Sequence, residues 1–316
     1  MLNPPFFPLS KDEARCAIEE HLAKSEKPEQ NSRWCLRTIL ATCSDKLRLK
    51  TAMGLLKVLR RLGIARQKAR SYVHSPDTQY AEKLAYMEQI ISECAKSEGH
   101  KVVLFMDELT YYNHPSPAPD YAPDYARQKQ QPKAERAIGP ERTYRIAGCL
   151  DALTGQVTAI QRTTISVSNI VMLFQDVVKA YPNAETIYVI MDNWPVHYHP
   201  DVLAALQKKQ NSPFAFPTPK SWKDIKPKKK FLNLNLPIQI VSLPTYASWL
   251  NPIEKLWKLL KKDFIHNHMY AHRFKELTEN IQEQLIKLCS PNLVLLRYCG
   301  LLNKDGIFAK CLNIVI

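Results

Sequence analysis

Three acidic residues, far apart in the chain, stand at positions from which chemistry could be done. Asp107 and Asp192 each close an apolar run, Val102-Val103-Leu104-Phe105-Met106 and Ile187-Tyr188-Val189-Ile190-Met191, while Glu254 opens a basic amphipathic segment that runs to Asp263. Consecutive apolar residues before an acid suit a buried central strand that delivers a carboxylate at its tip. If the two strands are parallel neighbours, their ends coincide at a sheet edge, where ligand sites form in such folds. Carboxylates gathered there repel one another unless a cation neutralises them, and hard oxygen ligands suit Mg²⁺ or Mn²⁺. Two such ions roughly 3.5–4 Å apart activate a nucleophile and stabilise the leaving oxygen of a phosphodiester.

Glu254 admits two readings. Asn251 suits an N-cap, Pro252 the first helical position, and Glu254 then falls at N3, where its carboxylate can reach back to the Asn251 N–H as a capping box. The other reading is a metal ligand at the start of a rigid helix. Ile253, Leu256, Trp257, Leu260 and Phe264 follow helical spacing and face a core, leaving Lys255, Lys258, Lys261 and Lys262 outside. Glu108 follows Asp107 directly, so on a strand it points to the opposite face. Asn193 and His197, just past Asp192, are placed to orient a phosphate or a water, and His197 equally well to make a structural hydrogen bond. His266, His268 and His272 lack the spacing of a zinc site and read as surface or packing residues. Trp257 reads as core; Trp249, in the turn before the cap, reads as core or as a ring that stacks on a base, with core preferred.

The elements that must position these residues fall into three stretches. Residues 1–75 read as a helical DNA-binding domain, with a capping box Ser10-Lys11-Asp12-Glu13 opening a helix over 11–24 and Ser32 capping a second helix. A third helix runs from Thr51 to a stop at Gly63, with Met53, Leu55, Leu56, Leu59 and Leu62 inward and Lys57, Arg60 and Arg61 outward. A basic arm with Arg66, Lys68 and Arg70 follows. Residues 46–70 hold nine Lys or Arg and no Asp or Glu, and such one-signed charge repels itself unless phosphates neutralise it. Helices of this kind suit a helix-turn-helix or winged-helix unit. Residues 76–100 read as a linker helix. Residues 101–316 read as an α/β domain whose strands end at Asp107 and Asp192, with a hairpin around Asp151 to Gly155, a helix starting at Ser168, a helix over 201–210 and a short strand over 238–241. Two long irregular stretches interrupt it, 111–142 and the Pro- and Lys-rich segment 212–235.

Composition agrees with a nucleic-acid partner. The 316 residues carry a formal net charge of +14, which favours a polyanion, nucleic acid before membrane. The eight cysteines are scattered without a C-x-x-C pair, which reads as buried free thiols in a reducing compartment. The N-terminus lacks the charge and apolar core of a secretion signal, and no run is long enough to cross a bilayer. A cytoplasmic, nucleoid-associated protein is expected, with no membrane partner.

Met106-Asp107-Glu108, Met191-Asp192-Asn193 with His197, and Leu243-Pro244-Thr245-Tyr246 through Leu250-Asn251-Pro252-Ile253-Glu254 to Trp257 together resemble the catalytic signature of mariner-like DDE transposases, in their bacterial insertion-sequence branch. The resemblance covers residues 76–290 and extends to 33–75, which is similar to the family's winged-helix segment. It implies a ribonuclease H-like mixed sheet flanked by helices, in which Asp107, Asp192 and Glu254 bind two Mg²⁺ or Mn²⁺ ions, with Asn193, His197 and Asn251 in support. It implies metal-dependent cleavage of double-stranded DNA at terminal inverted repeats and 3′-hydroxyl strand transfer into target DNA at TA, by a homodimer in the synaptic complex. Lys57, Arg60, Arg61, Arg66, Lys68, Arg70, Lys258 and Lys261 are the expected DNA contacts. Two departures stand out: the interval from the second acid to the third is about twice the family's, the excess lying in 212–235, and little room is left for a further upstream helix-turn-helix. The alternative is a non-catalytic DNA-binding remnant acting as a repressor.

Overall fold

A computed structural model describes residues 12, 15, 16, 18, 35–47, 49–66, 74–122, 131–302, 306 and 308. The chain divides into two compact units, Met1–Tyr72 and Val73–Ile316.

The first unit is helical. Of the helix expected over 11–24, Asp12, Arg15, Cys16 and Ile18 are described and are helical, whereas Ser32 lies outside the described residues. Helices α1 (Leu36–Leu47) and α2 (Ala52–Arg61) follow. Thr51 caps α2 by accepting a hydrogen bond from the Gly54 N–H, and Gly63, at φ 75°, stops it while the Ile64 N–H reaches back to the Leu59 carbonyl. Ile18, Ile39, Leu55, Val58, Leu59 and Leu62 form its core. Met53 is not part of it: the residue is 62 % exposed, because its position so close to the cap turns it off the face that Leu55 and Leu59 bury.

The second unit is built on a five-stranded sheet ordered β3-β2-β1-β4-β5, with β1 (Lys101–Tyr112), β2 (Thr143–Asp151), β3 (Val157–Arg162), β4 (Thr186–Met191) and β5 (Ile238–Ser242). β1 to β3 form an antiparallel meander, and β4 and β5 add in parallel to the other edge of β1. Alternation along β1 serves two cores. Val103, Phe105, Leu109 and Tyr111 face α3 (Tyr80–Ala95), α6 (Ile253–Leu260), α7 (Phe274–Lys287) and α8 (Leu293–Cys299). Val102, Leu104 and Met106 face α4 (Val167–Ala180) and α5 (Pro200–Ala205). A strand covered on both faces reads as the unbroken apolar run seen in the sequence, and each such fully buried side chain contributes about 1.5–3 kcal/mol.

The helix expected to link two domains is part of this unit: Met87, Ile90, Ile91 and Cys94 of α3 are buried in the same core as β1. Other expectations need adjusting. β1 does not end at Asp107 but runs on to Tyr112, because β2 keeps pairing with it from Asp107↔Gly148 to Tyr112↔Thr143. The helix after the hairpin is capped by Ser166, through a reciprocal bond with Asn169, and not by Ser168. The helix expected over 201–210 stops at Ala205, and beyond it Gln207 Oε1 accepts from Gln239 while Gln210 Nε2 donates to the Ile238 carbonyl, both on β5. Cys94, Cys149 and Cys299 are buried thiols as expected, while Cys16, Cys35 and Cys289 are exposed. Among the described residues, no helix is long and apolar enough to cross a membrane.

Candidate active site

The register brings the first two acids level. Parallel pairing of β1 with β4 ends at Phe105↔Ile190, and Asp107 and Asp192 each lie two residues beyond that pair. Asp107 points to the face where α6 packs. There the Trp257 indole N–H donates to its Oδ2 at 3.0 Å. The indole reaches so far because position 148, opposite Asp107, is glycine: a Cβ there would lie 2.9 Å from Trp257 Cη2. The spacing Glu254-x-x-Trp257 puts both side chains on one helical face, so Trp257 is at once core and a partner of the first acid.

Asn251 does not cap α6. Its Nδ2 donates instead to the Met106 carbonyl at 2.9 Å, a fully buried bond that ties the turn before Glu254 to the residue before Asp107. Without that cap the capping box cannot close, and among the described residues the Glu254 carboxylate makes no hydrogen bond and no ion pair. It lines a cavity of about 890 Å³ together with Lys255 and Lys258. Asp107 is pushed up to about 7, first by burial and then by the negative charges of Glu254, Glu108 and Asp192.

On the other side of β1, charge is compensated. His197, wholly buried, bonds through Nε2 to Glu108 Oε1 at 2.8 Å and lies with Nδ1 3.2 Å from Asp192 Oδ1. Burial alone would lower its pKa, yet the two carboxylates raise it to about 10. Burial would raise Asp192, but the hydrogen bond and charge of His197 and the Trp194 N–H hold it below the usual carboxylate range. Tyr198 donates to the Asp192 carbonyl at 3.1 Å, and its oxygen lies 2.9 Å from Ser242 Oγ, whose hydroxyl can donate to it. Asn193 donates to the Leu243 carbonyl and Thr245 Oγ1, fixing the exit of β5. The far side of that loop is held by Asp77, which accepts the Thr245 N–H.

Of the residues read as supporting, His197 and Asn251 therefore act on the acids' scaffold, and Asn193 on the neighbouring loop. Sequence reasoning missed the Trp257 N–H, Gly148 and Tyr198; the one-turn spacing from Glu254 to Trp257 was the available signal for the first. Trp249 is not core but 44 % exposed, its indole N–H directed at the Tyr80 hydroxyl. Lys57, Arg60, Arg61 and Arg66 are exposed on the first unit and Lys258 and Lys261 on the second, while Lys68 and Arg70 lie outside the described residues. His268 is buried and His272 faces Glu135 at 3.6 Å.

Among the described residues, no group of His, Cys, Asp or Glu is drawn into a ready-made cage of three ligands. The donor chemistry still fits hard divalent cations. Carboxylates on three rigid elements act on one another's charge, and one of them is held up to about 7 in the absence of a neutralising partner.

A mixed sheet in this strand order, with one acid on β1 just past the end of its pairing with β4, a second just past β4 and a third on α6, is a ribonuclease H-like fold. The same fold is found in the crystal structure of the Mos1 mariner paired end complex with Mn, at a TM-score of 0.59 and 12 % identity over 100 % of this chain and 81 % of that one. A pre-cleavage Mos1 transpososome matches at a TM-score of 0.54 and 13 % identity, with the same coverage. Residues 114–278 match the DDE superfamily endonuclease model, a span that includes Asp192 and Glu254 and begins just past Asp107. The chain belongs to the DDE superfamily endonucleases. A Shigella sonnei relative, the insertion element IS630 uncharacterized 39 kDa protein, is 23 % identical over 266 residues, covering 83 % of this chain and 68 % of its own.

Proposed function

We propose that this protein cuts double-stranded DNA at the inverted-repeat ends of a mobile element and joins the freed 3′-hydroxyl to target DNA at TA, with Asp107, Asp192 and Glu254 holding two Mg²⁺ or Mn²⁺ ions. The observation that carries this reading is the contrast in partners: among the described residues Glu254 has no protein partner, and its charge, after burial, is the next cause that raises Asp107 to about 7. Bound there, the ions would supply Lewis-acid activation of a water or 3′-hydroxyl and neutralise charge at the scissile phosphate. The chain's own residues set the geometry. Trp257 fixes the Asp107 carboxylate, His197 fixes Asp192, and Asn251 ties the turn before Glu254 to β1. Lys255 and Lys258, on the cavity that Glu254 lines, are placed to meet the DNA backbone. The Mos1 assemblies that share the fold are a paired end complex with Mn and a pre-cleavage transpososome, which supports paired DNA ends as the substrate; a homodimer is the proposed synaptic state.

The test incubates the full chain with DNA carrying the element's ends and a target plasmid, with Mg²⁺, Mn²⁺ or chelator. Metal-dependent nicks exposing a 3′-hydroxyl, and joints flanked by TA, are expected. Metal-dependent cutting without joints would remove the strand-transfer claim. Specific binding with no product under any metal would favour a repressor instead.

A further inference from the structure

The interval between the second and third acids is lengthened by residues 212–235, and this segment is anchored. Phe231 is 5 % exposed. The Phe216 ring lies 5.4 Å from Tyr198, and the Trp222 ring meets His199 edge-on at 4.9 Å. The Lys228 N–H donates to Asp201 Oδ1 at 2.8 Å, and Asp201 is itself 2 % exposed. Tyr198, His199 and Asp201 all belong to the short stretch after Asp192, and Tyr198 bonds the Asp192 carbonyl. The segment is therefore built on the scaffold that holds the second acid.

Its outer side is one-signed. Lys220, Lys223, Lys226, Lys228, Lys229 and Lys230 are all exposed, and Asp224 is the one acidic residue in the segment. Of the six, Lys228 alone reaches a carboxylate among the described residues, Asp201 at 3.6 Å; Lys230 lies over the Phe231 ring at 4.6 Å. A lysine run serving solubility needs no buried aromatic anchors. Here three aromatic side chains hold mutually repelling charges at fixed places, an arrangement that phosphates would relieve.

We propose that residues 212–235 form a DNA-binding arm that grips duplex phosphates beside the Asp192 edge of the site. The proposal rests on the reading of the protein as acting on DNA.

Binding of the full chain to a random-sequence duplex, followed by fluorescence anisotropy across a salt series, tests it without any cleavage. Substituting Lys220→Gln, Lys223→Gln, Lys226→Gln and Lys229→Gln together removes exposed side chains and should leave the melting temperature unchanged. The slope of log K against log salt should become shallower by about 3 to 4, at roughly 0.9 for each phosphate that is no longer neutralised. The same four positions changed to Arg should keep the wild-type slope. An unchanged slope in the Gln variant overturns the arm while leaving the DNA reading intact. So does an equal loss when four other exposed lysines, Lys96, Lys133, Lys275 and Lys287, are neutralised instead. Absence of salt-dependent binding by the wild type would overturn both readings.

Discussion

Adjacent carboxylates on β1 meet opposite environments. Glu108 faces the side where His197 lies, and its charge is matched by a buried imidazolium shared with Asp192. Asp107 faces α6, where its hydrogen-bond donors are neutral, the Trp257 indole N–H among them, and Glu254 is a source of repulsion. One side of the strand is electrostatically closed and serves as scaffold. The other is left short of positive charge, and it is the side on which the proposed cations would bind. The difference separates Glu108, matched by His197 and largely buried, from Asp107 and Glu254, which no cation matches among the described residues; Asp192 stands between them, paired with His197 yet half exposed.

The sharpest way to break this contrast is to compare Glu254→Gln with Glu108→Gln in a metal-dependent cleavage assay. Loss of a ligand that contributes several kcal/mol to the transition state should lower the rate by about 10³-fold or more. Glu108→Gln keeps an oxygen acceptor for His197 and should cost about tenfold or less. Equal losses would erase the distinction. His197→Ala addresses the closed side directly, since it leaves Glu108 and Asp192 unmatched. Because 52 % of the Asp192 side chain meets solvent, the expected cost is about 2 kcal/mol, below that of a fully buried pair, or roughly 5 °C in melting temperature for a unit of this size. Gly148→Ala pushes a methyl at the Trp257 ring and should cost about 1–2 kcal/mol, with a weaker apparent affinity for Mn²⁺. A wild-type metal titration in that variant would show that the indole's seat is immaterial. The smallest effect is expected for Trp257→Phe, which keeps an aromatic ring but removes the N–H, at about 1 kcal/mol in stability.

The acids were legible because a strand buried on both faces leaves an uninterrupted apolar run, and an acid at its close is conspicuous. The extent of β1 was not, since Asp107 to Tyr112 mixes polar and apolar residues and is strand only because β2 pairs with it, a long-range fact. Asn251 misled for a related reason. An asparagine before Pro-x-Glu has the chemistry of a cap, and the sequence offers no sign that a carbonyl from residue 106 will claim its amide first. Gly148 was silent altogether, because the need for a missing Cβ arises from a ring more than a hundred positions later. Trp249 was assigned inward on hydrophobicity alone, whereas the turn that holds it faces outward.

The hydrogen bond from Trp257 to Asp107 spans 150 positions of sequence, and that from Asn251 to Met106 spans 145. At a synthesis rate of about 5–20 residues per second, roughly 8–30 s pass between making the first acid and making the helix that completes the set. On the proposed reading, a nascent or prematurely terminated polypeptide lacking that helix carries the sheet but not the third acid, and cannot yet cut DNA.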